Sequence, residues 1–130
     1  LAKSMYESGV DIILTIAGGA NQGVISSAKE TGGYVIWYDT SGYDVAPGVV
    51  IGSTYIDQKR AAYERSLAAV EGDLVYGEAE ILGVAEGFVG FDTEHNQYRR
   101  NVDEETRKNI DKMIERMKSG ELQLDIPTTN

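Results

Sequence analysis

The sequence is short of several residue types whose absence limits what this chain can do. Its 130 residues include no cysteine, two prolines and one histidine. Without cysteine the chain has no disulfide bond, no thiol nucleophile and no thiolate metal ligand. No apolar run in the sequence approaches the roughly 20 residues needed to cross a bilayer. We therefore expect no direct membrane insertion of this segment.

Positive charge is also scarce. The chain has 12 Lys and Arg residues against 21 Asp and Glu residues, which gives a formal net charge of −9. A protein that binds nucleic acid needs a basic surface to replace the counterions of the phosphates, and none is visible here. The same deficit argues against binding to anionic membrane surfaces. A hydrophobic content of 42% is typical of a globular protein, and the length predicts a single domain over 1–130.

A glycine-rich turn between two apolar runs is the most informative feature that is present. Gly18-Gly19-Ala20-Asn21-Gln22-Gly23 follows an apolar run at 11–17, and Asp39 ends a second run at 34–38. This order predicts a strand, a helix and a parallel strand, with the strand at 11–16 covered on both faces. The carboxyl ends of parallel strands meet at one edge of a sheet, where small molecules bind. The sequence therefore predicts an α/β fold with a small-molecule site at this edge.

Other patterns extend this prediction along the chain. Apolar periodicity and capping residues predict the following elements: helices over 2–8, 21–31, 54–70 and 101–118, and strands over 11–16, 34–38, 49–51, 78–82, 87–91 and 122–126. The predicted helix caps are Asn21, Thr54 and Asn101. Two buried helix stripes are predicted: Ile56, Tyr63, Leu67 and Val70 in the third helix, and Ile110, Met113, Ile114 and Met117 in the last.

The predicted site has no set of residues that would carry catalysis. The glycines at 18, 19 and 23 do not match the spacing of a dinucleotide-binding turn, and no Lys-Ser or Lys-Thr pair follows them. His95 lies in a polar loop and is predicted to be a surface residue. Trp37 is predicted to pack under a helix, and Tyr43 to pack at the surface. No spacing of ligands indicates a metal site, and no cofactor is expected.

Asp39 is the residue most suited to recognise a ligand. Its carboxylate can accept hydrogen bonds from a vicinal diol such as that of a ribose. Two simpler interpretations remain: Asp39 is a solvated turn residue, and the glycines only permit a tight turn.

Several segments, taken in order, resemble the basic membrane protein family, which includes purine-nucleoside receptors among the substrate-binding lipoproteins of bacterial ABC importers. They are Gly9-Val10-Asp11-Ile12-Ile13, residues 16–24, Val35-Ile36-Trp37-Tyr38-Asp39 and Val50-Ile51-Gly52-Ser53. The chain departs from the family at Trp37-Tyr38, where Gly-Val is frequent, and at Ile56, where a Lys is frequent. The resemblance covers nearly the whole chain.

The resemblance implies both a fold and a function. It implies one Rossmann-like, three-layer lobe of a two-lobed periplasmic-binding-protein-like fold, with the chain forming the carboxyl-terminal portion of a longer protein. It implies a non-enzymatic protein that binds a nucleoside or a similar small polar ligand through Ala17, Gly18, Gly19 and Asp39. An ABC permease is the implied partner, and an extracytoplasmic lipoprotein is the implied parent. The alternatives are a nucleotide-dependent α/β enzyme domain and the ligand-sensing domain of a transcriptional regulator.

Overall fold

Helices and strands are interspersed along the chain. A computed structural model describes residues 1–122 and 124. The helices are α1 (Ala2–Glu7), α2 (Asn21–Thr31), α3 (Gln58–Glu71), α4 (Asn96–Asn101) and α5 (Glu104–Lys118). The strands are β1 (Ile12–Leu14), β2 (Tyr34–Trp37), β3 (Val50–Ile56) and β4 (Val89–Phe91), and short 3-10 turns occupy Gly18–Ala20 and Tyr43–Val45. The chain divides into two compact units, one of Leu1–Ile56 with Phe91–Arg107 and one of Asp57–Gly90 with Lys108–Asn130.

The strands form a sheet with the order β1-β2-β3-β4, and the first three are parallel. Ile12 is paired with Tyr34, and Trp37 is paired with Ser53. Parallel pairing brings the carboxyl ends of β1, β2 and β3 to the same edge of the sheet. The predicted α/β class with a mainly parallel sheet is therefore confirmed.

The core of the first unit lies around β2 and β3. Val35 and Val50 are fully buried, and Ile25 and Ala28 of α2 are 3% and 1% exposed. The prediction that β1 is covered on both faces is wrong. Ile12, Leu14 and Ile16 are 41%, 49% and 64% exposed, because alternation places the three side chains on one face that the first unit leaves open.

Two predicted helix caps are replaced by neighbouring residues. β3 continues to Ile56, so Thr54 lies in a strand and α3 is capped by Asp57, whose carboxylate accepts from Arg60 N at 3.0 Å. Asn101 lies inside α4, a helix that the sequence did not predict. α5 instead begins after Asp103, which accepts the backbone N–H of Thr106 at 2.9 Å and its hydroxyl at 2.7 Å.

The two predicted buried stripes do not become core. Tyr63 and Val70 of α3 are 67% and 86% exposed, and Met113 of α5 is 53% exposed. Periodicity identifies the apolar side of a helix, but it does not show which surface covers that side. Residues 78–82 form no strand, whereas β4 confirms the strand predicted at 87–91. The strand predicted at 122–126 lies mostly outside the described residues.

The cap of α5 should make stability depend on acidity. The hydroxyl and the amide of Thr106 hold the pKa of Asp103 below its ordinary value. A depressed pKa in the folded state contributes stability at neutral pH, and this contribution is lost as pH falls below about 4. We expect Asp103→Asn, which cannot titrate, to lose less stability than the wild type between pH 5 and pH 3. Urea unfolding followed by circular dichroism tests this, and parallel pH profiles would contradict it.

Candidate functional site

The candidate site is the edge of the sheet at which β1, β2 and β3 end. We call the segments 15–20 and 38–42, which leave the carboxyl ends of β1 and β2, the rim. The backbone N–H of Thr15 donates to Ile36 O at 3.0 Å, so the two segments depart from adjacent positions. The structure thus places all four predicted ligand residues in two loops at one edge of the first unit.

The first rim segment is a tight turn with exposed glycines. Ala17, Gly18 and Gly19 are all exposed. Gly18 has φ +53°, a left-handed backbone conformation that glycine adopts with little strain. Asn21 is predicted to cap α2, and this is wrong: it is the first residue of the helix, and its Oδ1 accepts the N–H of Ala17 at 3.0 Å. Its side chain therefore fixes the turn that precedes the helix.

Asp39 in the second rim segment has an unusual backbone. Among residues 1–122 and 124 it is the only non-glycine residue with positive φ, at +85°. Its carbonyl oxygen accepts the N–H of Ile56 at 3.2 Å, so the end of β3 holds this conformation. Asp tolerates the left-handed region better than most residues, but the conformation still costs free energy. Such outliers concentrate at ligand sites, and Asp39 is half-buried at the tip of β2.

Ser53 of β3 ties down the remainder of the second segment. It is fully buried, and its hydroxyl donates to Thr40 O at 2.8 Å while accepting the N–H of Gly42 at 3.0 Å. A Cβ at Gly42 would overlap the side chain of Trp37, so only glycine fits there. Trp37 therefore packs against this loop, and its packing under a helix stays a prediction.

Tyr43 anchors the loop that follows the rim. Its ring is fully buried, which corrects the prediction of surface packing, and its hydroxyl donates to Asp92 O at 2.7 Å. Ser41 donates to the carboxylate of the same Asp92 at 2.7 Å. Burial raises the pKa of the Tyr43 phenol, so the group stays neutral and keeps its hydrogen bond at physiological pH.

His95 also has a structural role that the sequence did not reveal. Its ring stacks on Tyr43 with centroids 4.7 Å apart, and its Nδ1 accepts the N–H of Gln97 at the start of α4. Its Nε2 lies 3.5 Å from the carboxylate of Asp44. The side chain is 27% exposed, so the prediction of a surface residue is only partly correct. No local pattern predicts this stack, because it joins two residues that are 52 positions apart in the sequence.

An apolar cavity of about 490 Å³ lies behind the first rim segment. It is lined by Met5, Leu14, Val24 and neighbouring residues. Ala17 lines it, whereas Gly18, Gly19 and Asp39 do not. Because Asp39 does not line the cavity, the cavity does not account for the recognition predicted at Asp39.

Comparison with known proteins identifies the family of this chain. A family described as ABC transporter substrate-binding protein PnrA-like matches residues 1–123. The chain belongs to this family. The resemblance to basic membrane proteins is confirmed by a curated relative, "Basic membrane protein B" of Borreliella afzelii (strain PKo), which is 36% identical over 118 residues.

The fold has a counterpart among solved structures. A crystal structure of ABC transporter system solute-binding proteins from Aeropyrum pernix K1 superposes with a TM-score of 0.80 over 98% of this chain, at 19% identity. The chain spans 34% of the length of the Borreliella protein and 44% of the Aeropyrum chain. The match at this identity supports the fold, and the family match supports the class of substrate-binding proteins.

Among residues 1–122 and 124, no group of three or more His, Cys, Asp or Glu side chains is placed to hold a metal ion. Within the same residues, no helix combines the length and apolarity needed to cross a bilayer.

Proposed function

We propose that this chain forms part of the solute-binding component of an ABC importer and that its rim binds the ribose of a nucleoside. In this proposal, Ala17, Gly18 and Gly19 face the sugar, and the Asp39 carboxylate accepts hydrogen bonds from its two hydroxyls. The observation that carries the proposal is the left-handed backbone of Asp39, held by Ile56 at the tip of a parallel strand. A strained conformation kept by a specific hydrogen bond is typical of a functional position.

The chemistry suits reversible capture rather than catalysis. A hydrogen bond to a charged group contributes about 1.5–3 kcal/mol, so two such bonds to a diol discriminate strongly against a deoxy sugar. The rim itself, residues 15–20 and 38–42, contains no histidine, cysteine or lysine that would act on a bound nucleoside. The membership of a substrate-binding family supports the same conclusion.

We further propose that residues 1–130 form one lobe, at the carboxyl-terminal end of a two-lobed protein. The chain spans less than half the length of the relatives compared above, which leaves room for a second lobe in a protein of their size. Ligand would close the two lobes in a hinge motion, and a membrane permease would recognise the closed form. The parent protein would then act outside the cytoplasm, anchored as a lipoprotein.

Calorimetry with inosine tests this proposal. We expect the full-length protein to bind inosine, and the 130-residue chain alone to bind it weakly or not at all, because half of the contacts would be missing. Tight binding by the 130-residue chain would contradict the two-lobe arrangement. A full-length protein that ignores inosine, adenosine and guanosine would contradict the nucleoside assignment. Quenching of the single tryptophan, Trp37, by NAD would instead favour a nucleotide-dependent enzyme.

A further inference from the structure

Buried polar side chains in the first unit are concentrated at the rim. In the described part of the chain, three polar residues are buried: Thr15, Asn21 and Ser53, at 2%, 6% and 0% exposure. A buried polar group costs free energy unless it is hydrogen-bonded, so these positions call for a specific explanation. Thr15 begins the first rim segment, and the other two residues form hydrogen bonds to rim residues.

We infer that Asn21 and Ser53 are positioning residues, which hold the rim in its binding conformation before a ligand arrives. This inference rests on the proposed function, because it concerns the same rim. It adds two residues outside the predicted ligand contacts Ala17, Gly18, Gly19 and Asp39, and it gives the two residues separate roles.

Asn21 holds the first rim segment. An asparagine at the N-cap accepts an amide of the first helical turn, whereas Asn21 lies one position later, inside α2. Here Oδ1 accepts the N–H of Ala17, four residues earlier, at 3.0 Å. This bond spans Gly18, whose left-handed backbone would otherwise be one of many accessible conformations. The Asn21 side chain therefore restricts the segment that we propose faces the sugar.

Ser53 holds the second rim segment. Its hydroxyl is both donor and acceptor, to Thr40 O at 2.8 Å and from Gly42 N at 3.0 Å. The segment is thus fixed on both sides of Ser41, immediately after Asp39. Ile56, the last residue of β3, also donates its N–H to Asp39 O. Ser53 and Ile56 of β3 therefore determine where the proposed diol acceptor lies.

The two residues should affect binding in different ways. A preorganised site loses less conformational entropy on binding, so removing either constraint should lower affinity. Ser53 holds Thr40 and Gly42, in the segment that directly follows the proposed diol acceptor Asp39, so its loss should reduce the preference for a ribose over a dideoxyribose. Asn21 acts on the glycine turn, so its loss should weaken the binding of both sugars to a similar extent.

The experiment measures the affinity of the full-length protein for inosine and for 2′,3′-dideoxyinosine, and the amide hydrogen exchange of Ala17 and Gly42. We expect wild type to prefer inosine by about 100-fold or more, given two charge-assisted hydrogen bonds. Ser53→Ala should reduce this preference at least fivefold, by the loss of part of those bonds, and should expose the Gly42 amide to exchange. Asn21→Ala should expose the Ala17 amide, and Asn21→Asp, which keeps an acceptor, should restore protection.

Two matched variants serve as controls. Thr54→Val removes a hydroxyl from the next residue of β3, one that bonds to Trp37 O rather than to the rim. Ile25→Val makes a small cavity in the core beside α2. Both should leave the preference for inosine within twofold of wild type, because neither acts on the rim.

The outcomes separate this inference from the proposed function. A wild type that does not distinguish the two nucleosides would overturn the proposed function, and the inference with it. If the wild type prefers inosine and Ser53→Ala prefers it to the same extent, the positioning role of Ser53 alone would be overturned. Unchanged exchange of the Ala17 amide in Asn21→Ala would overturn the role of Asn21, whatever the ligand proves to be.

Discussion

Replacing Asp39 by asparagine should weaken inosine binding by the full-length protein about 10- to 100-fold. The change removes the negative charge that strengthens the hydrogen bonds to both sugar hydroxyls, each worth about 1.5–3 kcal/mol, while a neutral acceptor remains. Asparagine also tolerates the left-handed backbone seen at this position, so the loop conformation should be kept. Calorimetry at constant pH and salt measures the effect.

Asp44→Asn is the matched control for this prediction. It removes a negative charge from the same loop, but the Asp44 side chain is 86% exposed and lies beside His95 rather than in the rim. Its effect on inosine affinity should stay within about twofold, as is usual for exposed positions away from a site. An equal loss in both variants would show that net charge, and not a specific acceptor at residue 39, governs binding.

Replacing Tyr43 by alanine should destabilise the protein by about 3–5 kcal/mol, the usual cost of removing a buried aromatic side chain. Tyr43 is fully buried, stacks on His95 and donates a hydrogen bond to Asp92 O. The substitution leaves a cavity and an unpaired carbonyl in the core beneath the rim. Because whole-protein stabilities are about 5–15 kcal/mol, the loss should be large in urea unfolding.

Two further tyrosine variants serve as comparisons: Tyr43→Phe isolates the hydrogen bond of Tyr43, and Tyr63→Ala shows the cost of removing an exposed ring. Tyr43→Phe keeps the ring but leaves Asp92 O without its phenol donor, so it should cost about 1–3 kcal/mol. Tyr63→Ala removes a ring that is 67% exposed and should cost less than about 0.5 kcal/mol. If Tyr43→Ala proved no more destabilising than Tyr63→Ala, the buried stack would not support the loop in solution.

Local sequence patterns were sufficient for the part of the fold that forms the rim. The apolar runs at 11–16 and 34–38 contain β1 and β2, and the helix between them ends at Thr31 as predicted. These predictions are correct because apolar runs and helix-ending glycines act within one strand–helix–strand unit. The same logic predicts Asp39 at the edge where β2 ends, and Asp39 lies two residues beyond Trp37, the last residue of that strand.

Long-range contacts account for what the sequence could not predict. β3 pairs with β2 as far as Ser53, and Ile56 N then donates to Asp39 O, so these strand contacts override the local capping pattern at Thr54. α4 has no apolar periodicity and is recognisable only from the buried Tyr98 and the stack of His95 on Tyr43. The roles of Ser53 and Ile56 likewise depend on hydrogen bonds across the sheet, which no short segment encodes.

A crystal structure of the full-length protein grown with inosine would test the central claim most directly. The account predicts both ribose hydroxyls within hydrogen-bond distance of the Asp39 carboxylate, with the sugar against Gly18 and Gly19. A nucleoside seated elsewhere, or an Asp39 carboxylate directed away from that turn, would contradict it.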